Sequence, residues 1–533
     1  MKSLMKKVFA AAAAIATVFG LAATTVATAN AADNATLTVS TTDAKFAGKT
    51  VNAYKMFSAT VGGEGANKAV SYTLTDTWKP FFMDSTASGL NGATDANVND
   101  KANDYVSKLK GEDLVAFATK ASNWAQTKTN GIMAGATAMV SADAPNGSYT
   151  ATFTDLDYGY YVVAVPGATL ANASGQYATL VSVDSTNVNT NIKGDLPTVD
   201  KKVQVGGTGK DATDAKIGDT LTFTLTSTIP DMSAYDTYTF NFKDTLSQGL
   251  TFGQVTSVTV DGVTDPLTVN TDYTVTTPTT SDNTLTVSMK DFKKQQANAG
   301  KTITVTYTAT LNKDAVVGGH GNTNSATIQY SNNPSSGGTG ESEPSKVRVF
   351  TYGFTVDKYT GDKYDDDATR LAGAEFTLAP KNGTAMSFVQ VDAGSATANA
   401  VYRVAKAGET DTTTTITTPA NGKVVFQGLE NGEYTLTETK APAGYNKLAS
   451  AIGVKVDGKN DGTDTTDATV AITYNNDNGN SYNQTASNGV IPVQNKSGAI
   501  LPGTGGMGTI AFTVIGVLVI ALGVAWTLKR KNA

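Results

Sequence analysis

The 533-residue chain has no cysteine and a single histidine. Without cysteine there can be no disulfide, no thiolate metal site and no thiol nucleophile. The lone His320 sits in Gly318-Gly319-His320-Gly321 and is read as a solvated loop residue; its isolation removes most hydrolase layouts that need a histidine base. Charge is scarce and nearly balanced, 41 Lys and Arg against 47 Asp and Glu for a net −6, so no basic patch points to nucleic acid. The run Asp365-Asp366-Asp367 lacks the alternate spacing of a calcium loop and reads as a solvated turn. No carboxylate pair stands out, so neither an enzyme nor a cofactor is expected.

What is present is alternation. Thr36 to Ser40, Leu221 to Leu225 and Thr302 to Tyr307 place apolar and polar residues on opposite faces of a strand, and Gly, Asn, Asp and Pro punctuate the chain between such runs. The pattern predicts a mainly β protein of tandem Ig-like sandwiches. One region departs from it. From Asp100 to Ala125 the spacing is helical, with Leu114, Phe117, Ala118, Ala121 and Trp124 on one face, so one or two helices should decorate the first domain.

The two ends read as export and retention signals. Lys2, Lys6 and Lys7 precede an Ala-rich apolar run from Val8 to Ala23, the pattern of a signal peptide cleaved after Ala29 or Ala31. Leu501-Pro502-Gly503-Thr504-Gly505 is followed by an uncharged run at 509–528, long enough to span a bilayer, and by Lys529-Arg530-Lys531, which should stay cytoplasmic. The body is then expected outside the cell. This order resembles the sorting signal of Gram-positive wall proteins, in which sortase cuts between Thr504 and Gly505 and passes the Thr carbonyl to an amine. The remaining segment of about 475 residues exceeds one core. Composition divides the chain into a signal peptide at 1–31, an N-terminal domain at 32–192 closing with the aromatic strand Tyr158 to Val163, a middle sandwich at 193–352, a third sandwich at 353–497, and the sorting region at 498–533.

In the third domain, Tyr434 to Tyr445 reads YTLTETKAPAGY and matches the E-box YxLxETxAPxGY of Gram-positive pilins, while Leu371 to Leu378 looks like the early strand of a Cna B-type sandwich. With the sorting signal, the chain resembles a sortase-assembled pilus shaft subunit of the SpaA type. That resemblance implies spontaneous Lys–Asn isopeptide bonds in place of disulfides. A lysine buried among apolar groups loses its charge and becomes nucleophilic, and a carboxyl group in a dry site can stay protonated and donate to the Asn amide oxygen. The two partners should lie on neighbouring strands, usually the first and last.

For the third domain this gives Lys358 and Asn495, which alternation sets inward beside Phe354 and Val356 and beside Ile491 and Val493, with Glu438 as the acid. For the middle domain it gives Lys201 and Asn324 with Asp244, Lys202 and Asn322 being the alternatives. No internal bond is expected in the first domain. Of the family's YPK pilin motif only the lysine is present, Lys193, at the junction of the first two domains. The resemblance implies a covalent homopolymer in which a pilus-type sortase links Thr504 to Lys193 of the next copy. A housekeeping sortase would join the fibre to peptidoglycan, minor pilins would accompany it, and adhesion to a host glycan or matrix protein would be its use. The alternative is a single wall-anchored adhesin.

Overall fold

The computed structural model describes residues 34–63, 68–127, 130, 132–168, 178–192, 194–204, 206–233, 235–332, 338–364, 366–460, 462–475 and 481–498, with short helical stretches at 516–522, 524 and 526. The signal peptide and most of the 509–528 run lie outside these residues. Among the described residues no helix is long and apolar enough to cross a membrane. The described body falls into two compact units, one of residues 1–351 with Gly458–Thr469, the other of Tyr352–Asp457 with the remaining C-terminal residues.

The first unit begins with a three-stranded sheet in which Ala35–Thr41 lies between Tyr149–Leu156 and Asn187–Asn191. A five-stranded sheet is centred on Thr50–Gly62 and Gly159–Ala164. The aromatic strand does not close this domain as expected. Ala178–Val183 pairs beside it, and Asn187–Asn191 then returns to pair in parallel with Ala35–Thr41. All six residues of Gly159–Ala164 are buried, as a central strand covered on both faces must be.

The predicted helical stretch forms two helices, α1 at Val98–Lys108 and α2 at Gly111–Gln126. Phe117, Ala118, Ala121 and Ala125 form the buried stripe of α2, and Glu112 and Asp113 sit in its first turn, where the helix dipole favours them. Two short helical turns, Lys79–Met83 and Ser85–Ser88, precede them and were not anticipated. The second is capped by Asp84, which accepts from the amides of Thr86 and Ala87, and is stopped by Gly89 at φ +86°. Together these helices bury Phe81, Phe82, Phe117 and Ala121 over the five-stranded sheet.

The middle sandwich sets two antiparallel-dominated sheets face to face. One has the order Leu250–Val260, Thr302–Leu311, Thr220–Thr228, Asp200–Gln204; the other is centred on Ser345–Phe350, Asn322–Ser331, Phe240–Leu246 and Thr284–Met289. In Thr220–Thr228 every second side chain is buried, so the predicted alternation becomes a core of Leu221, Phe223 and Leu225, each fully buried. Burial of each such side chain is worth about 2 kcal/mol.

In the second unit the sheet order is Thr412–Thr413, Phe388–Asp392, Ala400–Val404, Lys423–Leu429, Tyr352–Tyr359, Val490–Gln494. The opposing sheet includes Glu375–Pro380, Gly432–Lys440 and Ile452–Lys459. The E-box thus occupies a strand and the turn that follows it.

Candidate functional site

Among the described residues two lysines are fully buried, Lys201 and Lys358. Alternation puts both inward, Lys201 between Val199 and Val203, Lys358 in line with Phe354 and Val356. An ammonium in such a place needs a partner or must lose its proton.

In the third domain the strand Tyr352–Tyr359 runs parallel to Val490–Gln494, pairing Lys358 with Val493, and Asn495 follows just beyond the strand end. Glu438 enters from the opposing sheet. Lys358 Nζ donates to the carbonyl of Val493 at 3.2 Å and lies 3.3 Å from Glu438 Oε1, an ion pair whose alignment falls short of a hydrogen bond. Asn495 Nδ2 donates to Glu438 Oε2 at 3.1 Å and to the carbonyl of Asn446 at 2.8 Å. Leu448 N donates to Glu438 Oε2 at 2.7 Å. All three side chains are at most 2 % exposed. Burial pulls the Lys358 ammonium down to about 8, against the opposing pull of Glu438.

In the middle domain Lys201 Nζ donates to Asp244 Oδ2 and, at 3.1 Å, to the hydroxyl of Tyr307. That hydroxyl donates to Asp244 Oδ2 at 2.7 Å and accepts from Asn324 Nδ2 at 2.6 Å. Lys201, Asp244, Tyr307 and Asn324 are all fully buried. Asp244 lies opposite Ala326 and Leu246 opposite Asn324, so acid and amide are diagonal neighbours on one inward face. Burial drives Lys201 below the ordinary lysine range, with Asp244 opposing. Its Nζ lies over the rings of Phe223 and Tyr307, 5.0 and 5.2 Å from their centroids.

The structure therefore brings together each set read from the sequence, with two differences. In the middle domain the lysine and asparagine come from facing sheets rather than neighbouring strands, because the first strand pairs with Thr220–Thr228 and reaches the asparagine only across the core. In the third domain the amide presents its nitrogen, not its oxygen, to the acid, since an ionised carboxylate only accepts. In both sites one carboxyl oxygen and the amide oxygen, Asp244 Oδ1 with Asn324 Oδ1 and Glu438 Oε1 with Asn495 Oδ1, are buried with no hydrogen-bond partner among the described residues.

The alternative residues point elsewhere. Lys202 is half-exposed and paired with Asp211 at 2.6 Å. The Asn322 amide is taken up by Val316 N at 2.8 Å and by the carbonyls of Val316 and Val349, each at 3.1 Å. In the first domain none of the described lysines is buried, and Lys45 pairs with Asp195 at 2.5 Å. Lys193, Leu501, Pro502, Thr504 and Gly505 lie outside the described residues. His320 is exposed and 2.7 Å from Asp467.

Sequence reasoning missed Tyr307, whose inward place in TITVTYTATL is visible but whose hydroxyl partners are not. It also missed Arg370, which forks both carboxylate oxygens of buried Asp357, next to Lys358 but on the other face of the strand.

Comparison with known proteins bears on both domains. Residues 217–334 match the Gram-positive pilin backbone subunit 2, Cna-B-like domain, and residues 357–471 match the SpaA prealbumin-like fold domain. A curated relative, the trypsin-resistant surface T6 protein of Streptococcus pyogenes serotype M6, is 26% identical over 273 residues, which is 48% of this chain but only 44% of the relative's length. Among solved structures, the T6 backbone pilin of the same organism covers 88% of this chain and 99% of its own at 18% identity, with a TM-score of 0.47. The full-length major pilin SpaD of Corynebacterium diphtheriae covers 87% and 98% at 20% identity, with a TM-score of 0.42. The chain thus carries two modules of Gram-positive pilin type in tandem, at residues 217–334 and 357–471, and the proteins it is similar to are structural pilin backbones.

Proposed function

We propose that the chain is the repeating shaft subunit of a covalently polymerised surface fibre, locked internally by two Lys–Asn isopeptide bonds. The observation that carries this reading is the pair of buried Lys–acid–Asn clusters, since nothing in a merely stabilising core calls for two lysines in apolar surroundings beside an amide and an acid. In each cluster the ammonium gives a proton to the carboxylate, the free amine attacks the amide carbon, and ammonia leaves. Desolvation favours the first step because it replaces two buried charges with two neutral groups. The transferred proton also provides a donor for an otherwise unpartnered amide oxygen. The resulting bonds, Lys358 to Asn495 and Lys201 to Asn324, replace the absent disulfides.

Polymerisation rests on the sequence. A pilus-type sortase would form an acyl link at Thr504 and transfer it to Lys193 of the next copy, and a housekeeping sortase would end growth on peptidoglycan. A fibre joined in this way holds a cell to a surface without any dissociable interface along its axis.

Intact-mass measurement of the exported protein tests the internal bonds, each of which makes the chain lighter by one ammonia. A mass equal to that of the unmodified polypeptide removes them. Wall extracts boiled in detergent test the polymer. A ladder of high-mass species supports it, and monomer alone favours the wall-anchored adhesin.

A further inference from the structure

The two clusters differ in how the acid reaches the asparagine. Glu438 touches the nitrogen of Asn495 directly, at 3.1 Å. Asp244 is one methylene shorter, and the nitrogen of Asn324 is bonded instead to Tyr307, whose hydroxyl continues to Asp244 Oδ2. That nitrogen is the atom that must leave as ammonia. The site is fully buried, so its protons move through side chains. The Tyr307 ring is stacked on Phe223, centroids 5.1 Å apart and planes 12° from parallel, and meets Phe252 at 6.0 Å, which holds the hydroxyl in place.

We propose that Tyr307 is the proton shuttle of the middle site, delivering to the departing nitrogen of Asn324 the proton that Asp244 takes from Lys201. This rests on the reading that Lys201 and Asn324 condense. Asp244 first accepts a proton from the Lys201 ammonium. The amine lone pair forms the Nζ–Cγ bond while the carbonyl π pair moves onto Asn324 Oδ1. Tyr307 then gives its proton to Nδ2 and takes the one on Asp244, and Asp244 removes a second proton from Nζ. The carbonyl re-forms as the Cγ–Nδ2 bond breaks, its electron pair leaving with ammonia. The products are the amide, ammonia and a protonated Asp244, so atoms and charge balance. Burial and the neighbouring Asp244 raise the Tyr307 hydroxyl well above its ordinary pKa, so it passes protons without persisting as a phenolate.

The test is the rate at which newly made, intact protein loses each ammonia, with peptide mapping to assign the bond. Tyr307→Phe keeps the stacked ring, and it should slow the Lys201–Asn324 bond by on the order of a hundredfold, the scale of one general acid–base group, leaving the Lys358–Asn495 bond at its parental rate. Adding Asp244→Glu should restore the middle bond, because the longer acid reaches the amide directly as Glu438 does. A Tyr307→Phe protein that closes the middle bond at the parental rate overturns the shuttle. So does a slowed variant that Asp244→Glu fails to rescue, since the hydroxyl would then serve the fold alone. If the parent itself lacks the middle bond, the condensation reading fails before the shuttle is reached.

Discussion

Replacing Asn495 by alanine removes the acceptor of the third-domain bond while leaving the Lys358–Glu438 ion pair intact. The contribution lost is the cross-link, since the Asn495 nitrogen has already left as ammonia in the linked parent. Closing a loop of about 140 residues restricts the unfolded chain by about 5 kcal/mol on the chain-entropy relation. A loss of that size in a domain of about 145 residues corresponds to a fall in Tm of about 15 °C. Differential scanning calorimetry reads the melting of the third domain, and intact mass, set against each variant's own calculated chain mass, counts the ammonias lost. Asn495→Ala and Lys358→Met should each lose one ammonia where the parent loses two, and the double variant should also lose one. An Asn495→Ala protein that still lies two ammonias below its calculated mass, or that melts within a few degrees of the parent, refutes the assignment of Asn495 as the bonded partner.

The same unlinked Asn495→Ala protein should become more stable as pH rises. Burial holds Lys358 at about 8 when folded, against the ordinary 10.5 of an exposed lysine; between these pH values the unfolded chain holds more protons, and stability should climb by up to about 3 kcal/mol, measured as urea midpoints across that range. A flat profile would mean that Lys358 is not held in a dry site. Asp244→Ala should abolish only the Lys201–Asn324 bond, seen as a mass one ammonia below the variant's calculated chain mass where the parent lies two below its own, with the third-domain cross-link intact on peptide mapping; loss of both would contradict two independent sites. Arg370→Met strands buried Asp357 without its cation and should cost about 3–5 kcal/mol in chemical denaturation, whereas a cost below 1 kcal/mol would mean the pair contributes little. Lys193→Ala should reduce the wall-extract ladder to monomer on a denaturing gel, and a persisting ladder would assign polymerisation to another lysine.

The parts of the fold legible in advance were those with a local cause. A strand's period of two places Lys201 beside Val199 and Val203, and Lys358 beside Phe354 and Val356, whatever they later meet. The helical stripe of Phe117, Ala118 and Ala121 was readable for the same reason. What pairing decides was not readable. The return of Asn187–Asn191 to Ala35–Thr41 and the facing-sheet origin of Lys201 and Asn324 depend on contacts more than a hundred residues apart. Tyr307 looked like one more inward aromatic because its role lies in three partners from three other strands. The turns at 79–88 escaped because each is too short to show a period, and their signals are the single residues Pro80, Asp84 and Gly89.

The parallel pairing of Tyr352–Tyr359 with Val490–Gln494 has a mechanical consequence. A pull entering near residue 352 and leaving near residue 497 meets these two strands side by side, and a Lys358–Asn495 amide would carry it straight across. The intervening polypeptide is then short-circuited: it bears no tension, cannot be drawn out as slack, and keeps its shape while the neighbouring covalent strut takes the strain.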